Sequence, residues 1–136
     1  MPDKSVKELS KLLMEKARKT LSYIPSYIEL GDYNTAINRS YYSAFYSMKA
    51  IEILDGFDSK KHSGVVAYFR SQYIKTGILD KELSRIIGRL LDSREQGDYN
   101  LTVEFDLQDA TELFSYAKKF VNEIDQYLKL NLEINL

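Results

Sequence analysis

The sequence of 136 residues contains no cysteine and a single histidine. The absence of cysteine excludes disulfides, thiolate nucleophiles, zinc–cysteine sites and iron–sulfur clusters. One histidine excludes a multi-histidine metal site unless subunits share it, and we expect neither a metal ion nor a cofactor. No apolar run approaches the roughly 18 residues that a membrane-spanning helix needs, so we expect a cytoplasmic protein with no membrane partner.

Residues that interrupt helices are also scarce, with two prolines and six glycines, and tryptophan is absent while tyrosines number 11. This composition favours an all-helical chain. Hydrophobic residues at 44% and charged residues at 29% exclude wholesale disorder and fit one domain over 1–136. Because 19 basic and 20 acidic residues leave a net charge of −1, any phosphate binding must depend on a local site.

Apolar residues recur at helical spacing in successive segments, which predicts an all-α, up-and-down bundle of four or five helices. Within the first helix Pro25 should produce a kink or a break, Gly31 should end the helix, and Asp32 should cap the next one. Loops are predicted over 55–62 and 95–100. The predicted helices cover about 5–30, 33–54, 63–73, 81–94 and 106–130.

The second predicted helix carries two apolar stripes, whereas a surface helix usually has one. One stripe consists of Ile37, Tyr41, Ala44, Phe45, Met48 and Ile51. The other consists of Tyr42, Tyr46 and Ile53. Two stripes indicate a central helix, or one that also faces a partner subunit, so we expect a homodimer.

A first candidate binding group lies within this helix, where Asn38 and Arg39 precede Tyr42 by about one turn. Arginine offers a bidentate fork to phosphate, and tyrosine offers a ring on which a base can stack. The alternative is a helix surface flanked by core tyrosines, since bulky aromatic residues at helical spacing are usually buried.

A second group is Lys61 and His62, at the predicted start of the third helix. Free backbone N–H groups and cations at a helix N-terminus favour an anion, and the ordinary pKa of histidine suits acid–base work near neutrality. The alternative is a solvated loop histidine in a lysine-rich turn.

A third group is Arg94 with Asp98 and Tyr99. If a tight turn at Gly97 folded the acid or the phenol back onto the arginine, the three side chains could handle a phosphate. The alternative is an arginine at a helix C-terminus, where its charge is favoured by the helix dipole.

Taken in order, these motifs resemble the HEPN family, the higher eukaryotes and prokaryotes nucleotide-binding domains, and in particular its small stand-alone prokaryotic branch. The resemblance rests on 31–45, 61–66 and the run from Arg94 to Tyr99, and it covers nearly the whole chain. It implies a bundle of about four main helices that commonly dimerises.

The resemblance also implies two functional themes. Many HEPN proteins are metal-independent ribonucleases, commonly toxins, with an arginine followed after four to six residues by a histidine. Others act with a minimal nucleotidyltransferase, which in some toxin pairs adds AMP to a tyrosine near the arginine motif. Arg94 matches the arginine, but Asp98 or Tyr99 stands where the histidine would be.

We therefore predict a protein that binds nucleotide or RNA and acts with a minimal nucleotidyltransferase in a toxin–antitoxin-type module. One alternative is a metal-independent endoribonuclease at a dimer groove, and another is a non-catalytic helical interaction module. We expect Arg94 to contact phosphate and Asp98 to orient it. The catalytic candidates are Arg94, Asp98, Tyr99 and His62, and the candidates for binding nucleotide or phosphate are Asn38, Arg39, Tyr42 and Lys61.

Overall fold

A computed structural model describes residues 3–100 and 102–131, and in these ranges it contains five α-helices and no strand. A π-helical segment, Arg70–Ile74, directly continues the third helix. The all-α prediction is therefore confirmed, whereas the single domain over 1–136 and the homodimer stay predictions. The helices are α1 Lys4–Glu29, α2 Tyr33–Ile53, α3 His62–Phe69, α4 Glu82–Tyr99 and α5 Leu107–Asn131.

Local side chains define several helix ends as the sequence predicts. Gly31 has a φ of 78°, in the left-handed region that glycine adopts readily after a helix. The Asp32 carboxylate accepts a hydrogen bond from the Thr35 N–H at 3.3 Å and caps α2. Asp106 and Asp109 exchange two backbone-to-carboxylate hydrogen bonds of 3.1 and 2.8 Å, which together satisfy free N–H groups at the start of α5.

The predicted break at Pro25 is wrong, because α1 runs through this residue to Glu29, whereas the alternative of a kink there stays a prediction. A proline removes one hydrogen bond of the helix and crowds the preceding turn. Only one further turn of α1 follows Pro25, and the neighbouring Ile24 is fully buried while Ile28 packs against the core. The packing of this last turn outweighs the loss of one backbone hydrogen bond.

The predicted loop over 95–100 is also wrong, since α4 continues to Tyr99. Arg94 and Asp98, four residues apart, form an ion pair across one helical turn, which favours the helix. A Cβ atom built on Gly97 would lie 3.1 Å from the Phe105 ring. Gly97 therefore permits close packing inside a helix and does not form the predicted turn.

The third predicted helix, over 63–73, begins one residue earlier, at His62. It changes from an α-helix to a π-helix at Arg70. His62 is the first residue of α3 rather than part of a loop. At Arg70 the α-helix gives way to the π-helical segment, and the Arg70 side chain donates to the Ser84 hydroxyl and carbonyl oxygens at 3.0 and 3.1 Å. These bonds tie the segment to α4.

Helix α2 is the central element, in contact with α1, α3, α4 and α5. Its first apolar stripe is buried, and the second stripe of Tyr42, Tyr46 and Ile53 is partly buried and packs against the core. The interpretation of α2 as a central helix is therefore confirmed. Among the described residues, no helix is both long and apolar enough to cross a membrane.

One carboxyl group is enclosed at the end of α2. Glu52 is 1% exposed, and its Oε2 atom has no hydrogen-bond partner among the described residues. Burial, and secondarily repulsion by Asp55, raise the pKa of Glu52 from its ordinary value of 4.5 to about 9. At neutral pH this side chain is therefore protonated in the folded protein.

We predict that Glu52→Gln stabilises the protein at neutral and mildly alkaline pH. The unfolded chain releases this proton near pH 4.5 and the folded chain only near pH 9, so the free energy of unfolding falls as pH rises between these values. Because one pKa unit corresponds to about 1.4 kcal/mol and pH 7.5 lies about three units above the ordinary pKa of glutamate, removing this ionisation should contribute several kcal/mol near pH 7.5.

Urea denaturation between pH 5 and 9 would measure this effect. Glu95→Gln, which neutralises an exposed acid on α4, is the matched control and should leave the pH dependence unchanged. Equal pH dependence in the wild type and Glu52→Gln would contradict the prediction.

Candidate phosphate-binding site

Arg94 projects from α4 toward α2, and its side chain is only 15% exposed. Its Nη2 atom donates to the Tyr42 hydroxyl at 3.2 Å. The guanidinium carbon lies 5.3 Å from the centroid of the Tyr41 ring and 5.4 Å from that of Tyr42. A guanidinium at these distances is attracted to the aromatic faces, so two tyrosines of the central helix hold this arginine.

Asp98 holds Arg94 from the same helix, with 3.0 Å between Nε of the arginine and Oδ2 of the aspartate. The buried Nε–H forms no hydrogen bond of good geometry among the described residues, so this contact is an ion pair. Asn38 of α2 donates to the same Oδ2 at 3.3 Å. The structure thus brings Arg94, Asp98 and Asn38 together, and α2 and α4 are joined through the carboxylate.

A second guanidinium group, that of Arg39, belongs to the same network. Arg39 donates through Nε and Nη2 to the Asn38 side-chain oxygen, at 3.1 and 2.8 Å. Its guanidinium carbon lies 4.8 Å from the centroid of the Tyr42 ring, so Arg39 and Arg94 both contact that ring. This set of contacts contains two guanidinium groups, Arg39 and Arg94, and one carboxylate, Asp98. The surplus of positive charge suits an anion.

His62 reaches the same tyrosines from the start of α3. Its Nδ1 atom lies 2.9 Å from the Tyr41 hydroxyl, and its ring stacks on Phe45 with 4.2 Å between centroids. Its ring is also edge-on to Tyr42 at 5.6 Å. Burial, then the charges of Arg94 and Lys49, lower the pKa of His62 from 6.5. The imidazole is therefore neutral at neutral pH, and His62 and Arg94 share two aromatic contacts within one protomer.

Two predicted site residues lie outside this cluster. Lys61 is exposed and precedes His62 at the N-terminus of α3. Tyr99 is 75% exposed at the end of α4, where it lines a shallow surface groove of about 270 Å³. Within the described ranges neither side chain has a hydrogen bond or ion pair with Arg94 or Asp98. Of the two residues predicted as possible partners of Arg94, Asp98 contacts it across one helical turn and Tyr99 does not, because the continuous helix turns the Tyr99 side chain away.

Tyr41 and Phe45 are the site contacts that sequence reasoning missed. Their spacing correctly placed both in the buried stripe of α2, and Tyr41 is fully buried. A buried ring can still present its hydroxyl to a functional neighbour. The available signal was the position of Tyr41 directly before Tyr42, in the same segment as Asn38 and Arg39.

Known proteins resemble this chain over most of its length. A family model described as "HEPN domain" matches residues 10–127. A protein of Methanocaldococcus jannaschii named "Putative toxin" is 37% identical over 122 residues, covering 90% of this chain and 82% of that protein. A "UPF0332 protein" of Thermotoga maritima is 32% identical, covering 84% and 86%. Another M. jannaschii protein, also with a toxin name, is 30% identical, covering 93% and 94%.

We predict that Asp98→Ala destabilises the protein by about 1–2 kcal/mol, because it leaves a largely buried guanidinium without its carboxylate. Asp98→Asn keeps a polar side chain near Arg94 and Asn38 and should cost less. Urea denaturation at pH 7 would measure both. As a control, Glu95→Ala removes a neighbouring exposed acid and should stay within about 0.5 kcal/mol of the wild type. Equal stability of Asp98→Ala and Glu95→Ala would show that this ion pair contributes nothing to the fold.

Proposed function

The chain belongs to the HEPN domain family, and on that basis we propose that it binds the phosphate of a nucleotide or an RNA strand at Arg94. We further propose that it works in a toxin–antitoxin-type module with a minimal nucleotidyltransferase. The names of the two M. jannaschii relatives support the toxin part of the proposal. The main support for binding is that Arg39 and Arg94 both contact Tyr42, while Asp98 is the one carboxylate among residues 3–100 and 102–131 that contacts either arginine.

The geometry suits a phosphate for two reasons. Arg94 is already held by Tyr41, Tyr42 and Asp98, so a ligand would not have to order a free arginine side chain when it binds. The Arg39 guanidinium is engaged only with the neutral Asn38 amide oxygen among the described hydrogen bonds and ion pairs. A phosphate would supply the negative charge that these contacts lack.

A purely structural role for this cluster explains less. It accounts for the Arg94–Asp98 ion pair, which joins α4 to α2 through Asn38. It does not account for Arg39, whose charge has no acidic partner within 4 Å among the described residues. The binding proposal accounts for both arginines.

Binding without cleavage is favoured by the groups that follow Arg94. Metal-free RNA cleavage needs a base for the 2′-hydroxyl, an acid for the leaving oxygen and a cation for the phosphate. Asp98 occupies the region where HEPN ribonucleases carry a histidine, and its carboxylate is engaged by Arg94 and Asn38. Tyr99 is largely exposed and lies outside the cluster.

A metal-independent ribonuclease is the second candidate, and one observation favours it. His62 and Arg94 contact the same pair of tyrosines within one protomer, so the two groups would not have to meet across a dimer groove. In that case Arg94 would stabilise the charge on the phosphate and His62 would exchange the proton.

We expect Arg94→Gln to weaken binding of a fluorescently labelled single-stranded RNA about tenfold or more. The variant removes a charge-assisted contact worth roughly 1.5–3 kcal/mol. Fluorescence anisotropy in excess EDTA would measure binding of this RNA and, in a parallel titration, of a fluorescently labelled ATP. Arg85→Gln, which removes an exposed arginine elsewhere on α4, is the control and should change affinity less than about twofold.

The same samples distinguish the candidate functions on a denaturing gel. Intact RNA with Arg94-dependent binding supports the first proposal. Cleavage that survives EDTA and disappears in Arg94→Gln supports the ribonuclease. If a folded wild type binds neither RNA nor ATP, the structural alternative is favoured. If it binds them equally well without Arg94, the assignment of the phosphate site to Arg94 is refuted.

We also expect Tyr99 to accept AMP from the partner nucleotidyltransferase, with its phenol oxygen displacing pyrophosphate from ATP. The exposed hydroxyl at the end of α4 gives an enzyme access to this residue. Mass spectrometry after incubation with ATP and a minimal nucleotidyltransferase from the same genome neighbourhood should find one added AMP. Tyr99→Phe should abolish the addition, whereas Tyr23→Phe, at a half-exposed tyrosine of α1, should retain it. AMP on any other residue would refute this assignment.

A further inference from the structure

The hydrogen bond between Tyr41 and His62 decides which imidazole nitrogen carries the hydrogen. Tyr41 is fully buried, and its hydroxyl lies 2.9 Å from Nδ1 of His62. Among the described residues, this nitrogen is the one hydrogen-bond partner of the hydroxyl. The pairing is further constrained by the stacking of His62 on Phe45 at 4.2 Å. With Nδ1 engaged, Nε2 is the ring nitrogen left for a ligand.

Two arrangements of this bond are chemically available. In the first, the Tyr41 hydroxyl donates to Nδ1, and the neutral imidazole carries its hydrogen on Nε2. In the second, Nδ1–H donates to the phenol oxygen, which leaves the buried hydroxyl hydrogen without an acceptor. Because such unsatisfied groups are disfavoured in a protein interior, the first arrangement is the stable one.

The surrounding groups favour both a Tyr41 hydroxyl that keeps its hydrogen and a neutral His62. Burial raises the pKa of Tyr41 above its ordinary value of 10, so the phenol keeps the hydrogen that it donates. The charged groups that act on His62 are Arg94 of α4 and Lys49 of α2, and the neighbouring hydroxyls belong to Tyr41 and Tyr42. Both cations disfavour a second proton on the imidazole.

We propose that Tyr41 is a positioning residue that holds His62 in the neutral tautomer with hydrogen on Nε2. His62 then offers a bound phosphate a hydrogen-bond donor and lacks a free nitrogen to accept a proton from a 2′-hydroxyl. The role toward phosphate rests on the proposed function, whereas the tautomer is a property of the free protein. This explains how Arg94 and His62 could lie side by side in a site that binds phosphate without cleaving RNA.

The tautomer can be measured directly, because the sequence contains one histidine and every imidazole signal belongs to His62. We expect two-bond ¹H–¹⁵N correlation spectra, recorded well above pH 6.5, to show a protonated Nε2 and an unprotonated Nδ1 in the wild type. In Tyr41→Phe, which keeps the ring and removes the hydroxyl, the two ¹⁵N shifts should move toward each other. Tyr46→Phe, on the next turn of α2, should leave both shifts unchanged.

Two results would overturn the assignment. One is a wild-type spectrum with hydrogen on Nδ1 or an even mixture of tautomers. The other is a Tyr41→Phe spectrum identical to the wild type. The wild-type spectrum alone decides the first point, so the test does not depend on the folding of a core variant.

The role of His62 as a hydrogen-bond donor to phosphate is tested with the labelled single-stranded RNA described above. His62→Gln retains an amide donor near the position of Nε2 and should keep the affinity within about threefold. His62→Leu removes the donor and should weaken binding about tenfold. Equal affinities of the two variants would refute the donor role. If the wild type binds neither RNA nor ATP, the proposed function fails, and the spectra still test the tautomer.

Discussion

The burial of a guanidinium group against two tyrosine rings is the constraint on which the arrangement of α2 and α4 depends. Arg94 is largely covered by protein, and its charge must be compensated where it lies. Asp98 supplies opposite charge, Tyr42 accepts a hydrogen bond, and the faces of Tyr41 and Tyr42 supply electrostatic attraction. The tyrosine contacts fix α2 relative to α4, whereas the Asp98 ion pair lies within α4 and reaches α2 only through Asn38.

The same constraint explains how a chain with nearly balanced charge can contain a candidate anion site. Charges that are spread over a surface are screened by salt within about 8–10 Å, so the overall charge of −1 says little about one cluster. What matters locally is that Arg39 and Arg94 contact one ring while Asp98 is the one carboxylate, within the described part of the chain, that bonds to the network. The contacts that hold Arg39 and Arg94 in place also bring them together, and this gives the cluster its surplus of positive charge.

Sequence periodicity predicted the parts of this molecule that depend on local rules. It located α1, α2 and α5 to within one residue at each end, because their caps and apolar stripes lie within the helices themselves. It failed over 95–99, where the helix is favoured by close packing of Gly97 on Phe105, a contact between different elements. The proximity of His62 and Arg94 is also non-local. Their positions differ by 32 residues, and no spacing rule relates residues on separate helices.

Tyr41 connects the fold and the candidate site more directly than any of the predicted site residues. Its ring belongs to the buried stripe that makes α2 central, one face of it lies near the Arg94 guanidinium, and its hydroxyl bonds to His62. Core packing restricts such a side chain to one rotamer, so the hydroxyl has a fixed position from which to orient the imidazole. A tyrosine on the surface of the site would need further partners to achieve the same order. The orientation of His62 is therefore a consequence of the core, and changes in packing around α2 should reach this imidazole through the Tyr41 hydroxyl and the stacked Phe45 ring.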